Sequence, residues 1–250
     1  MKFFLGTTSF RSLLALICFS LPAIGYAQSS QQPTVLQSHT FSYSILDTEL
    51  DSVELLAMVR NEILSKETLN GGVIYANWIF AKKPADAPFA GLAENQVGLM
   101  VAWPNDALQQ VDVLMEALQS IDSVTTVASR LFEAMYLPAG LSIPTKGGFY
   151  VHREEKYKVE HVNDAVRLSK EAWKTWEPHW GTMVIGLFRE IGGATDFVNL
   201  NRIVWYPSYD AWLDTRNFAE DKESAIRFRE RQGLLIPGSG IAIATDRILP

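Results

Sequence analysis

Any chemistry in this chain has to come from a small set of side chains. His152 lies in the run Phe149–Val159, where strand alternation places Phe149 and Val151 on one face and Tyr150 and His152 on the other. An imidazole beside a phenol, turned into a cavity, can act as acid, base or iron ligand. A hydrogen-bonded strand histidine does none of these. His179 follows Pro178 at an expected helix end, where an imidazolium also suits exposed carbonyls. Arg189-Glu190 and Asn201-Arg202 stand on consecutive apolar segments expected to pair as antiparallel strands, so their side chains can converge. A Glu190–Arg202 pair would grip an anionic or carbonyl-bearing ligand, or serve as a cross-strand ion pair. Trp173, Trp176, Trp180, Trp205 and Trp212 can wall a site for a flat apolar molecule, or pack a helix on a sheet.

Other chemistries find no support. The histidines His39, His152, His161 and His179 include no pair at helical i, i+4 spacing, and Cys18 is the sole cysteine, so no metal site is expected. There is no nucleophile elbow, phosphate-binding loop or dinucleotide glycine run. A net charge of −6 without a basic cluster argues against a nucleic-acid partner.

The elements that must position these residues follow from periodicity. Leu36–Ile45 reads as a strand. Thr48 and Asp51 resemble a capping box for a helix with Val53, Leu56, Ala57, Ile63 and Leu64 on one face, stopped by Asn70-Gly71-Gly72. Val73–Ala81 and Val97–Trp103 are strands; Pro104 ends the second, with Asn105 as the expected N-cap of a helix whose stripe runs from Ala107 to Ile121. Leu131–Leu137 closes the set. The second half repeats this β-α-β-β-α-β order: strand 149–159, a helix with Val162, Ala165, Val166, Ala172, Trp173 and Trp176 inward and ended by Pro178 and Gly181, strand 182–191, a turn at 192–196, strand 200–206, a broken helical stretch from Tyr209 to Gln232, and strand 241–248. The segments 97–108 and 201–212 echo each other, each a strand that ends on aromatic-Pro and turns into a helix.

The fold class that follows is α+β. Tandem ferredoxin-like repeats, 36–140 and 148–250, are joined by a Pro- and Gly-rich linker over 137–148. Each repeat leaves one sheet face bare of helices, and two such faces meeting give a pseudo-dimeric α+β barrel. The polar stretch Lys82–Gln96 is long for a strand connection and is expected to rim a cavity mouth or stand free.

Before the repeats, Lys2 and Arg11 precede an apolar run that ends near Pro22, and Gly25-Tyr26-Ala27 supplies small residues for cleavage. Residues 1–27 are therefore expected to be a secretory signal and 28–35 a disordered leader, with a periplasmic or secreted product. Cleavage removes Cys18, lowers Lys+Arg from 22 to 20 against 28 Asp+Glu, and leaves no expected membrane span.

In the second half Trp176-Glu177-Pro178-His179-Trp180-Gly181, Gly186-Leu187-Phe188-Arg189-Glu190-Ile191-Gly192 and Leu200-Asn201-Arg202-Ile203-Val204-Trp205-Tyr206 together resemble NIPSNAP-type domains. The resemblance covers roughly 149–249; the first half joins by its matching element order. The chain departs from that pattern at Glu160-His161-Val162-Asn163, which replaces a Pro-Gly turn, and at Pro207-Ser208. The resemblance implies the dimeric α+β barrel superfamily, which includes monooxygenases, haem-binding enzymes and non-catalytic proteins. It adds Arg216, where the following helix of such domains often carries Arg, to His152, His179, Arg189, Glu190, Asn201, Arg202 and Trp205 as candidate ligand-binding residues. A small, partly apolar ligand is the leading expectation. A cofactor-independent or haem-dependent monooxygenase and a fully packed interaction module are the alternatives, and a homo-oligomer is open.

Overall fold

The computed structural model describes residues 38–248 apart from 65, 144, 146, 194, 195 and 218. The expected signal and leader lie outside the described residues. The first unit contains β1 (His39–Thr48), α1 (Ser52–Met58, continued by a π-helical turn Val59–Ile63), α2 (Lys66–Leu69), β2 (Val73–Phe80), the short β3 (Ala90–Gly91), β4 (Gln96–Pro104), α3 (Gln110–Gln119) and β5 (Val124–Tyr136). The second contains β6 (Phe149–Lys158), α4 (Val162–Trp180), β7 (Met183–Glu190), β8 (Phe197–Tyr206), α5 (Tyr209–Asp214), α6 (Lys222–Gln232) and β9 (Ile241–Ile248).

The sheet runs β2-β4-β1-β5 in the first unit and β7-β8-β6-β9 in the second, the same order when each unit's long strands are counted from its start. The last long strand of each unit pairs antiparallel with the second of the other, β5 with β7 and β9 with β2. Eight strands thus close into a barrel, with β3 lying parallel on part of β9. Closure pairs the strand edges that each half alone would expose.

Alternation along the strands then sorts side chains into three compartments. Inward positions from both units, including Phe41, Tyr43, Tyr75, Trp78, Phe132, Tyr150 and Phe188, fill the barrel. The Tyr75 hydroxyl donates to the Ile185 carbonyl at 3.0 Å, tying the first unit to β7. Outward positions of the first unit (Leu46, Leu99, Val101, Trp103) pack under Leu55, Leu56, Leu114 and Leu118. Those of the second (Val151, Leu187, Val204, Tyr206) lie under α4 and α5 through Trp173, Trp176 and Trp212. Between the units, the Arg247 guanidinium on β9 donates to the carbonyls of Ile143 (3.2 Å) and Thr145. The Trp205 indole donates to Gly147 at 3.0 Å, so the connection is pinned by the second unit.

Several local expectations change. The α1 cap is Asp51, whose carboxylate accepts from the Val53 N–H at 2.8 Å; β1 runs on to Thr48, whose hydroxyl serves only the turn at Leu50. Asn105 opens a 3-10 turn, and its side chain accepts from Thr40 rather than capping α3, which starts at Gln110. α4 continues through Pro178 to Trp180, losing only the bond Pro178 cannot donate, and stops at Gly181 with φ of 61°. β5 begins seven residues before the expected Leu131, because its first, mixed half pairs with β1 from Thr48 to Tyr43.

Candidate functional site

The second unit's outer layer encloses a cavity of about 510 Å³ between the sheet and the helices. Its floor is strand-borne. Val151, Arg153 and Glu155 share the outward parity of β6, as Arg202, Val204 and Tyr206 do on β8, and the register sets Arg153 directly opposite Arg202. The roof is Trp173 and Trp176 from α4 with Ala225 and Phe228 from α6. Arg229 and Arg231 complete the far side, and Arg216 enters just after α5. That short helix is set by Ser208, whose hydroxyl accepts from the Ala211 N–H at 3.1 Å. It places Trp212 under Arg216, which lies 5.2 Å from the ring centre and donates to the Thr215 hydroxyl at 2.7 Å.

Five arginines and one carboxylate line this space. Glu155 accepts from Arg202 at 2.7 Å and from the Tyr157 hydroxyl at 2.6 Å, both inside the layer. Burial alone would raise its pKa; Arg202, Arg231, the Tyr157 hydrogen bond and Arg153 outweigh that and hold the carboxyl at about 2. Burial and the neighbouring Arg202 lower Arg231 to about 10, so it stays cationic at neutral pH. Arg153 is lowered by burial and by Arg202, with Glu155 opposing, and Arg216 is lowered by burial first. The Arg231 guanidinium donates to Ser169 at 3.1 Å and lies 5.1 Å from the centre of the Phe228 ring. Trp176 meets Tyr206 and Phe228 edge-on, so aromatic rings and guanidinium groups line the space together.

Of the expected site residues, the structure brings Arg202 and Arg216 to this cavity, and Trp173 and Trp176 of the five tryptophans. Arg202 and Glu190 do not pair. Leu187 faces Arg202 and Arg189 faces Leu200, so Glu190 takes the opposite parity and projects from the other sheet face. There it accepts from Asn199 at 2.5 Å and lies 3.9 Å from Arg130. Arg189 pairs with Glu133, directly across β5. His152 and Asn201 are buried on the barrel side, and Trp205 is half-buried there as the linker anchor described above. His179 is exposed near the end of α4, its ring against Trp180.

The barrel interior holds a second polar group. His152 stacks 5.8 Å from Tyr43 and meets Trp78 edge-on at 4.7 Å, with Nε2 2.9 Å from the Thr245 hydroxyl and Nδ1 unbonded. Burial, helped by Arg130, lowers its pKa to about 3, so it is neutral. Toward the barrel end, Arg130 forms a bidentate pair with Glu154.

Haem iron takes imidazole, thiolate, thioether or phenolate ligands. The cavity offers only Tyr206, whose phenol burial keeps protonated. Neither His152 nor His179 reaches it, and the residues present do not fit haem there. Among the described residues, no cluster of three or more His, Cys, Asp or Glu is placed to hold a metal ion.

Arg153, Glu155, Arg229 and Arg231 were not among the expected site residues. Their signal was parity: Arg153 and Glu155 continue the helix-covered face begun by Phe149 and Val151, where charge is out of place.

No protein-family model matches the sequence, and no curated protein matches it. Solved structures do resemble it in shape. A "putative monooxygenase" from Lactobacillus acidophilus NCFM superposes with a TM-score of 0.51 at 9% identity, covering 84% of this chain and 93% of that one. One of the same description from Fusobacterium nucleatum gives 0.51 at 11% identity, over 85% and 93%. An anthrone oxidase-like protein gives 0.51 at 11%, over 85% and 92%. At such identities the likeness establishes the fold, a ferredoxin-like α+β barrel, and no more.

Proposed function

We propose that this protein is an exported, NIPSNAP-like α+β barrel that binds a small, partly apolar molecule in the outer cavity of its second unit. One observation carries this reading: a cavity of about 510 Å³, within the size range of ligand sites, is lined by both aromatic rings and guanidinium groups. A layer meant only for packing would be filled by apolar side chains. Bound ligand stabilises the native state by mass action, so a thermal-shift screen of the mature protein across a metabolite library should return ligands that raise Tm. A screen in which no compound shifts Tm, with a larger side chain, as in Ala225→Leu, filling the space at no cost, would refute it. Export is supported by the Lys2/Arg11 charge, the apolar run and Gly25-Tyr26-Ala27, and mass spectrometry of protein from the exporting host should find Gln28 as the first residue.

The names of the similarly folded proteins favour a second reading, a cofactor-independent oxygenase. A cationic cavity would favour the ionised form of an enolisable aromatic substrate, which dioxygen then oxidises. With an anthrone, one O₂ would convert the ring CH₂ to C=O and release one water. Dioxygen uptake with an anthrone, lost in Arg202→Met but not in His179→Ala, would favour this reading; uptake no faster than the buffer rate would end it.

A further inference from the structure

We infer that the ligand of the outer cavity is an aromatic organic acid, its anionic group seated between Arg153 and Arg231 and its ring against Trp173, Trp176 and Phe228. This rests on the ligand-binding reading above and specifies the chemistry of the occupant.

The charge of the cavity is left unbalanced by the protein itself. Arg153 and Arg202 stand directly opposite each other on antiparallel neighbours, and both point to the helix-covered face. Like charges in that relation repel and destabilise a sheet. The single lining carboxylate, Glu155, is already taken by Arg202 and by the Tyr157 hydroxyl. Among the described residues Arg153 makes no hydrogen bond or close ion pair; Glu155 favours its charge, but burial and Arg202 act against it. Arg231 is only 6% exposed, spends one nitrogen on Ser169, and leaves its Nε–H buried without an acceptor. A buried guanidinium with unmet donors is costly unless an anion supplies the missing acceptors. Planar oxyanions match this geometry, because guanidinium groups present parallel N–H donors. An inorganic anion would use the charge and leave the aromatic lining uncovered. Trp173, Trp176 and Phe228 offer ring faces and edges to an apolar body, so the occupant needs both parts.

The test uses two fluorescent probes with one ring system. 1-Anilinonaphthalene-8-sulfonate carries an acid group, and N-phenyl-1-naphthylamine is its neutral counterpart. Each is titrated into the mature protein and then competed against the other. The sulfonate is expected to bind at least tenfold more tightly and to displace the neutral probe. Arg153→Gln and, separately, the shape-conserving Arg231→Met should each remove about tenfold of the sulfonate's affinity and leave the neutral probe unchanged. Arg153→Gln should also keep or raise Tm, since it relieves repulsion; an arginine with only a structural role would lower it. Arg167→Gln, on the outside of α4, should change neither probe, and an equal loss there would place the probe elsewhere and overturn the assignment. Equal affinity for both probes would overturn the acid preference while leaving a ligand cavity intact. Failure of both probes to bind and compete would overturn the ligand-binding reading as well.

Discussion

Acid should unfold this protein through a single imidazole more than its composition suggests. His152 has an ordinary pKa of 6.5 when unfolded and one of about 3 inside the barrel, where burial and Arg130 oppose its charge. Between those values the unfolded chain binds a proton that the folded chain does not. The His152 contribution is therefore fully present above about pH 6.5 and is lost progressively as the pH falls toward 3. Each pH unit in that window costs on the order of 1 kcal/mol, so a drop from pH 6.5 to 4.5 should cost roughly 2–3 kcal/mol. His152→Gln supplies the comparison: an amide can keep the contact to the Thr245 hydroxyl and cannot titrate. Urea denaturation of both proteins at pH 7, 6, 5 and 4.5 isolates the effect, because every other titrating group is shared. The variant is expected to be less stable at pH 7, through lost ring contacts with Tyr43 and Trp78, and to lose less on acidification, so that the two curves converge. Parallel curves would refute the assignment of a neutral, proton-excluding His152.

Glu155→Gln should be strongly destabilising, by about 3–5 kcal/mol, because it leaves Arg202 buried without its countercharge; chemical denaturation near pH 7 measures it. The Glu155 carboxyl is held at about 2 against an ordinary 4.5, so its contribution is present above pH 4.5 and disappears as pH falls through 2. Tyr75→Phe removes a hydrogen bond across the barrel and strands the Ile185 carbonyl, for a loss of about 1 kcal/mol in a urea titration. Gly148→Ala should lower Tm clearly, since Gly148 sits at φ of 94° with Trp205 and the Tyr206 carbonyl where a Cβ would go. A Tm equal to that of the wild type would mean that the linker does not turn there as described.

Much of the architecture was legible because local signals agreed with one another. Gly72 and Gly181 precede the second long strand of each unit, and Trp103 and Trp205 fall near the ends of the third, as the duplicated order requires. Alternation is weak at the start of β5, Val124-Thr125-Thr126-Val127, where two exposed threonines separate two half-buried valines; pairing with β1 makes it a strand. The candidate site was less legible. Arg202 stands out in the sequence, but Glu190 on the neighbouring strand is not its partner. Sequence proximity cannot tell which sheet face a residue takes once a register shift near Val184 and Gly186 alters the count. The true partner, Glu155, lies forty-seven residues earlier on β6. Arg231 is reached only through α6, whose placement over the sheet no local pattern specifies.

The strand exchange between the two halves also bears on how such a cavity came to be tolerated. Two identical chains joined by the same pairings would be bound by symmetry, and every change to the outer layer would appear in both. A face carrying opposed, unmatched cations would then weaken the assembly twice. Here the halves share one polypeptide, and their outer layers have separated in character: leucine, valine and tryptophan under α1 and α3, guanidinium and indole under α4 and α6. The first unit's closed seams with the second hold β6 and β8 in register while their outer faces carry charges that would strain an isolated sheet.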